Sequence, residues 1–165
     1  MSQTLLGKTK NGHEVFVDME HSHAATHLKK YPILLEYAKD IIAEVTIDSD
    51  YERFDRDMGK IVGESDLVST TDGDDIVYAK RPNRSLYTRF VKDRIPEPTT
   101  WVTLSLKKAE EDAYELSTIY IGRAVPPFPD PQRGSAASKK FWAAHALVWG
   151  RQEVVPGTET EKCPW

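Results

Sequence analysis

Two long alternating runs near the middle of the chain constrain its fold more than any other stretch. Thr99–Lys107 puts Val102, Leu104 and Leu106 on one side and Trp101, Thr103 and Ser105 on the other, the period of two that a strand imposes. Ala113–Ile121 reads the same way, with Thr118 and Tyr120 on one side and Ser117, Ile119 and Ile121 on the other. The polar Lys108–Asp112 between them is expected as a hairpin loop. Two strands of this length, joined so closely, predict a central antiparallel sheet.

The remaining segments fit around that sheet. Thr4–Lys8 and Glu14–Asp18 flank Lys10-Asn11-Gly12, and Asn-Gly is a strong hairpin signal, so residues 1–18 read as an N-terminal hairpin. Ser22 is a candidate cap for a short helix carrying His23 and His27. Pro32 opens a longer helix, whose Ile33, Leu34, Tyr37, Ala38, Ile41, Ile42 and Val45 recur at helical spacing and should lie against the sheet. Asp48–Lys60 reads as a charged connection with room for a short strand, and Thr71-Asp-Gly-Asp74 as a turn. Asp75–Lys80 and Leu86–Val91 are strands broken by Pro82-Asn83. Ala124–Pro131 holds four prolines in eight residues and must run extended. Ser138 is expected to cap a last helix, Lys139–Trp149, ended by Gly150, with Phe141 and His145 on one face; residues 150–165 read as a loop-like tail. The expectation is one α+β domain spanning residues 1–165: N-terminal helices on a curved antiparallel sheet of four to six strands, with a C-terminal helix.

Charge singles out one region. The chain carries 22 Lys+Arg against 26 Asp+Glu, yet Lys80, Arg81, Arg84, Arg89, Lys92 and Arg94 cluster within Lys80–Arg94, where only Asp93 opposes them. A local positive field on an acidic protein suggests a specific anionic ligand rather than a general polyanion surface; edge cations that keep a sheet soluble are the plainer reading. A single cysteine, Cys163, leaves no internal disulfide, which fits a reducing cytoplasm. The first residues lack a signal-peptide core, and no apolar run reaches membrane-spanning length. No phosphate-binding glycine loop and no metal motif of defined spacing occurs, so neither cofactor nor metal is expected.

Histidine, Lys/Arg and hydroxyl groups are the parts needed for metal-free RNA cleavage. There the 2′-hydroxyl attacks phosphorus, a side chain acts as base or acid, and cations stabilise the phosphorane. His23 and His27 share a helix face at a spacing of four; with no third ligand nearby, acid–base work suits them better than metal binding. His145, among aromatics, is a further candidate, although such a histidine is more often structural.

The order of His23-Ala-Ala-Thr-His27, Asp75-Ile-Val-Tyr-Ala-Lys-Arg81, Tyr87-Thr-Arg-Phe-Val-Lys92, Trp101-Val-Thr-Leu-Ser-Leu106, Tyr114-Glu-Leu-Ser-Thr118 and Phe141-Trp-Ala-Ala-His-Ala-Leu-Val148 resembles the bacterial and phage-associated barnase–EndoU–colicin–RelE nuclease superfamily. The resemblance implies a helical part against a four- or five-stranded antiparallel sheet, and a metal-independent, toxin-like ribonuclease. By position it implies His27 as the early histidine, Lys80 or Arg89 as the strand cation, and Thr118 or Ser117 as the later hydroxyl. Arg81, Arg84, Tyr87, Ser117 and Tyr120 would then contact substrate, with RNA and a protein inhibitor as partners and no membrane involved. The acidic net charge, the proline-rich stretch and the aromatic last helix depart from that pattern. A non-catalytic binding protein on the same fold, taking a protein or a small anion, is the alternative. An ADP-ribosyltransferase, suggested by Leu116-Ser-Thr118, ranks last, since only Glu159 or Glu161 offers the glutamate that chemistry wants.

Overall fold

The computed structural model describes residues 3–110, 112–133 and 135–165. In chain order the elements begin with β1 (Gln3–Lys8), β2 (Glu14–Asp18), α1 (His23–Lys30), α2 (Ile33–Glu44) and β3 (Tyr51–Asp57). Then come β4 (Gly63–Ser65), β5 (Leu67–Ser69), β6 (Ile76–Lys80), β7 (Tyr87–Val91) and β8 (Glu97–Thr99), followed by β9 (Trp101–Glu110), β10 (Ala113–Ile121), α3 (Ala136–Ala144) and β11 (His145–Val148). They gather into two compact units. The first runs to Gly63 and takes in Thr99–Ala124; the second holds Glu64–Pro98 and Val125–Trp165.

The first unit is built on a five-stranded sheet in the order β1-β2-β10-β9-β3. The N-terminal hairpin forms as its Asn-Gly signal predicts: Gly12 takes a φ of 90°, and its N–H donates to the Thr9 carbonyl at 3.0 Å. Ser22 caps α1 by accepting from the Ala25 N–H at 3.1 Å. Ala24 and Leu28 of α1, and Leu34, Tyr37, Ala38, Ile41 and Ile42 of α2, pack on Val15, Val17, Val102, Leu104, Leu106, Leu116 and Ile119 of the strands. Leu116 and Ile119 are three apart yet enter the same core, because the β10–β9 register shifts between Leu116 and Thr118. Ser117 is the extra residue of that bulge.

Several expectations need correction here. The sheet is mixed rather than antiparallel, since β10 runs parallel to β2 along its free edge. The strands continue to Glu110 and resume at Ala113, so most of the expected Lys108–Asp112 loop is ladder. The charged stretch after α2 is a seven-residue strand, β3, paired with β9 from Tyr51 to Asp57. As an edge strand it can carry charges on its open side.

The second unit has its own four-stranded sheet, ordered β5-β11-β7-β6, so the chain forms two main sheets, not the single one expected. β6 and β7 are antiparallel, while β11 runs parallel to β7 and antiparallel to β5. Val68, Val91, Ala146 and Val148 make one cluster; Val77, Ala79 and Phe90, with Leu147, Trp149 and Val154, make another. The last helix differs from expectation at both ends. Ser135, not Ser138, is its cap, accepting from the Ser138 N–H at 3.0 Å. It stops at Ala144, and His145–Val148 is a strand. Pairing with neighbours on both sides outweighs a helical spacing four residues long. The tail lies along β6: Tyr78 and Thr160 exchange two backbone bonds of 2.8 Å, and the Val155 N–H donates to the Lys80 carbonyl. β4 and β8 form a two-stranded ribbon.

Candidate anion-binding site

Across the β6–β7 ladder, Lys80 lies opposite Tyr87 and Tyr78 opposite Arg89. Residues directly opposite each other share a face, so two cations and two phenols alternate on one side of the hairpin. Lys80 Nζ sits 5.1 Å from the centre of the Tyr87 ring. Arg89 Nη1 donates to the Thr70 hydroxyl at 2.8 Å and to the His145 carbonyl at 2.9 Å. Burial raises the pKa of Tyr78, as does a hydrogen bond with the Cys163 thiol, against the opposing pull of Arg89.

The connection between the strands turns at Asn83, whose φ of 62° is a left-handed conformation that asparagine tolerates. Just before it, Arg81 Nε donates to the Thr88 hydroxyl at 3.0 Å and Nη1 donates to Gln152 Oε1 at 2.8 Å. Its guanidinium lies 5.6 Å from the centre of the Phe128 ring. Phe128 stacks on Trp142 at 3.9 Å, and the Trp142 indole N–H donates to the Pro126 carbonyl. The proline-rich stretch thus supplies the ring beside the Arg81 guanidinium and the acceptor that holds Trp142 beneath that ring. Burial, then the neighbouring Arg84, lowers the pKa of Arg81; a guanidinium remains charged all the same.

Among the described residues, Lys80, Arg81, Arg84, Arg89 and Lys92 have no carboxylate within 4.0 Å. Arg94 differs, pairing with Asp74 and with Glu97. A cation removed from water without a counter-charge is costly. Arg81 and Arg89 are partly buried against neutral groups, so an anion would recover part of that cost.

His145 opens β11. Its ring stacks on Phe141 at 4.1 Å, and its Nδ1 lies 2.9 Å from the Phe141 carbonyl. A carbonyl only accepts, so the proton of this bond belongs to Nδ1 and the Nε2 lone pair is left free in the neutral ring.

The sequence-predicted residues divide between the units. Lys80, Arg81, Arg84, Tyr87, Arg89 and His145 belong to the second; His23, His27, Ser117, Thr118 and Tyr120 belong to the first. In the first unit, the His23 and His27 rings meet edge to face at 5.2 Å. Burial, then His23 and Lys30, lowers the pKa of His27. The Thr118 and Ser105 hydroxyls are 2.6 Å apart. Burial raises the pKa of Tyr120, against a hydrogen bond with Thr103. A cavity of about 220 Å³ in this unit is lined by Gln3, Phe16, Glu110, Tyr114 and Glu115 among others, and by none of the predicted residues.

Sequence reasoning missed the anchors Thr70, Thr88, Phe128, Trp142 and Gln152. The only signal was the stiffness of Ala124–Pro131, which says that something is held but not what. Among the described residues, no three His, Cys, Asp or Glu side chains gather as a metal site, and no helix is long and apolar enough to cross a membrane. No known protein family, curated protein or solved structure matches the chain.

Proposed function

We propose that the turn of the β6–β7 hairpin binds a phosphate-bearing anion through Arg81 and its charge neighbour Arg84. The observation that carries this reading is that Arg81 is fixed by a hydroxyl, an amide oxygen and an aromatic ring rather than by a carboxylate. Arg94, by contrast, is held by the Asp74 and Glu97 carboxylates. An arginine oriented by neutral groups keeps donors and a full charge for a ligand.

A second reading is that the bound anion is an RNA phosphodiester and that the protein is a metal-independent, ribonuclease-like enzyme, as the nuclease-superfamily resemblance suggests. The free Nε2 of His145 supports it, since that atom can take a proton from a 2′-hydroxyl. Arg81, which bonds Thr88 on the face of the sheet that the His145 side chain shares, would stabilise the phosphorane charge. His27, with its lowered pKa, is the competing base.

Fluorescence anisotropy with a labelled single-stranded RNA, with inorganic phosphate as competitor, tests the first reading. Arg81→Ala and Arg84→Ala should each weaken binding about tenfold. Equal affinity in the parent and both variants removes the hairpin from consideration. Incubation of RNA with chelator present tests the second. Cyclic-phosphate ends that fall about 100-fold with His145→Ala or Arg81→Ala support it. Loss with His27→Ala alone moves the base to α1, and no cleavage by the parent leaves binding without catalysis.

A further inference from the structure

The chain beyond β11 runs as a strap along the outer edge of β6. Arg151 pairs with Asp66 at 3.1 Å and fixes one end of it. Gln152 Oε1 accepts from Arg81 Nη1 at 2.8 Å. Further along, the Val155 N–H donates to the Lys80 carbonyl at 2.8 Å, and the Lys80 N–H donates to the Thr158 hydroxyl at 3.0 Å. Thr158 steadies its own turn by donating to the Val155 carbonyl at 2.7 Å. Tyr78 and Thr160 exchange their two backbone bonds, and the Trp165 ring meets Tyr78 edge to face at 5.3 Å. Residues 152–158 therefore hold both backbone polar groups of Lys80 and the side chain of Arg81. Little holds the strap in return. Val154 packs on Val77, Ala79 and Phe90, whereas Glu153, residues 155–157, Glu159 and residues 161–163 are exposed. A segment with few apolar anchors and solvent-facing backbone bonds opens at lower cost than the sheet beneath it.

We propose that residues 152–160 open and close on β6, and that the closed strap orients Arg81 for the anion, so that strap position regulates binding. The inference rests on the anion-binding reading and adds its regulation. With the strap closed, Arg81 is held at Nε by Thr88 and at Nη1 by Gln152. That leaves both Nη2 hydrogens and the second Nη1 hydrogen to a ligand. With the strap open, the guanidinium is held only by the Thr88 bond and the Phe128 ring. An anion arriving then has to restore the lost order, which lowers its affinity. The anion therefore binds the closed form more tightly, and by reciprocity a bound anion holds the strap closed.

The test is hydrogen exchange, read by mass on peptides covering residues 152–163 of the full chain. Inorganic phosphate is the probe, sodium chloride at equal ionic strength is the control, and calorimetric titration of the same samples reports binding. Saturating phosphate should slow exchange of the strap in the parent about fivefold or more. Thr158→Val removes the acceptor of the Lys80 N–H without touching the guanidinium. Its strap should exchange faster without phosphate, and its phosphate affinity should fall about fivefold. Gln152→Ala keeps the backbone bonds of the strap but cuts its link to Arg81, so phosphate at a concentration that saturates this variant should no longer slow exchange. If the parent binds phosphate and its strap exchanges as before, the strap proposal falls and the anion reading stands. The same holds if Thr158→Val exchanges faster yet binds as the parent does, or if phosphate slows exchange in Gln152→Ala as in the parent. No phosphate binding by the parent overturns both.

Discussion

In the first unit Arg56 of β3 pairs with Glu44 of α2, Lys39 lies 3.9 Å from Glu36 one turn away, and Lys30, Lys60 and Arg123 lie over the Tyr31, Tyr37 and Trp101 rings. These pairs sit at the surface, outside a single apolar cluster drawn from two helices and four strands. In the second unit the apolar residues split into two smaller clusters. Arg94 and Arg151 pair with carboxylates there, but the buried side of Arg81 and of Arg89 is held by hydroxyls, an amide oxygen and a backbone carbonyl. Where burial of apolar surface sets the geometry, charged side chains need only stay solvated. Where rings and neutral acceptors set it, the same side chains are oriented with their charge uncompensated, and orientation without compensation is what a binding site requires.

Four measurements break or sharpen that contrast. Trp142 is fully buried and its ring underlies the Phe128–Arg81 stack. Trp142→Ala should cost about 3–5 kcal/mol in urea unfolding and abolish anion binding. The first-unit counterpart Leu104→Ala should cost about 2–5 kcal/mol and leave binding unchanged in the protein that remains folded. If Leu104→Ala also removes binding, the anion site does not belong to the second unit alone. Next, Arg81→Glu should weaken binding of a phosphate ligand about 100-fold, whereas Arg56→Glu should not change it; equal effects would make the contrast one of net charge only.

The third measurement concerns pH. The folded-state pKa of His27 is lowered, so between that value and the unfolded value of 6.5 the unfolded chain binds the extra proton. Stability should therefore be held above pH 6.5 and decline as pH falls below it, and His27→Gln should flatten this step. The lowered pKa values of Asp18, Asp57 and Asp74 act separately, eroding stability only as pH falls below the carboxylate value of 3.8. A step that persists in His27→Gln assigns it to another group. The smallest effect is expected from Arg56→Ala, a half-exposed pair partner whose loss should cost under about 1 kcal/mol, read as a small shift in the urea midpoint.

Periodicity made α2, the N-terminal hairpin and the two central strands legible, because each carries its own signal: Pro32 and the Ile41–Ile42 face, Asn11-Gly12, and the alternating Val102, Leu104 and Leu106. It failed where partners decide. Phe141 to Trp149 has helical spacing on paper, yet β5 and β7 offer ladders on either side of Ala146 and Leu147, and a strand results. The Arg56 segment allowed a short strand but did not show its length or partner, because Tyr51 and Phe54 are its only uncharged residues. For the site, the cations were legible as a cluster, since charge is written in the residues themselves. Their anchors were not, because Gln152 lies 71 residues from Arg81 and no local pattern joins them.

The bonds from Thr160 and Val155 to Tyr78 and Lys80 also govern the order in which the protein can be made. During synthesis the outer edge of β6 emerges long before the segment that covers it, with its row of amides and carbonyls unmatched. The β9–β10 pair of the first unit is likewise made only after β6 and β7 have appeared. Folding is therefore governed by contacts distant in the chain, which form slowly, and an unfinished chain presents a free strand edge to its neighbours. A version shortened to residue 150 should be recovered mainly as aggregate, for want of a partner along that one strand.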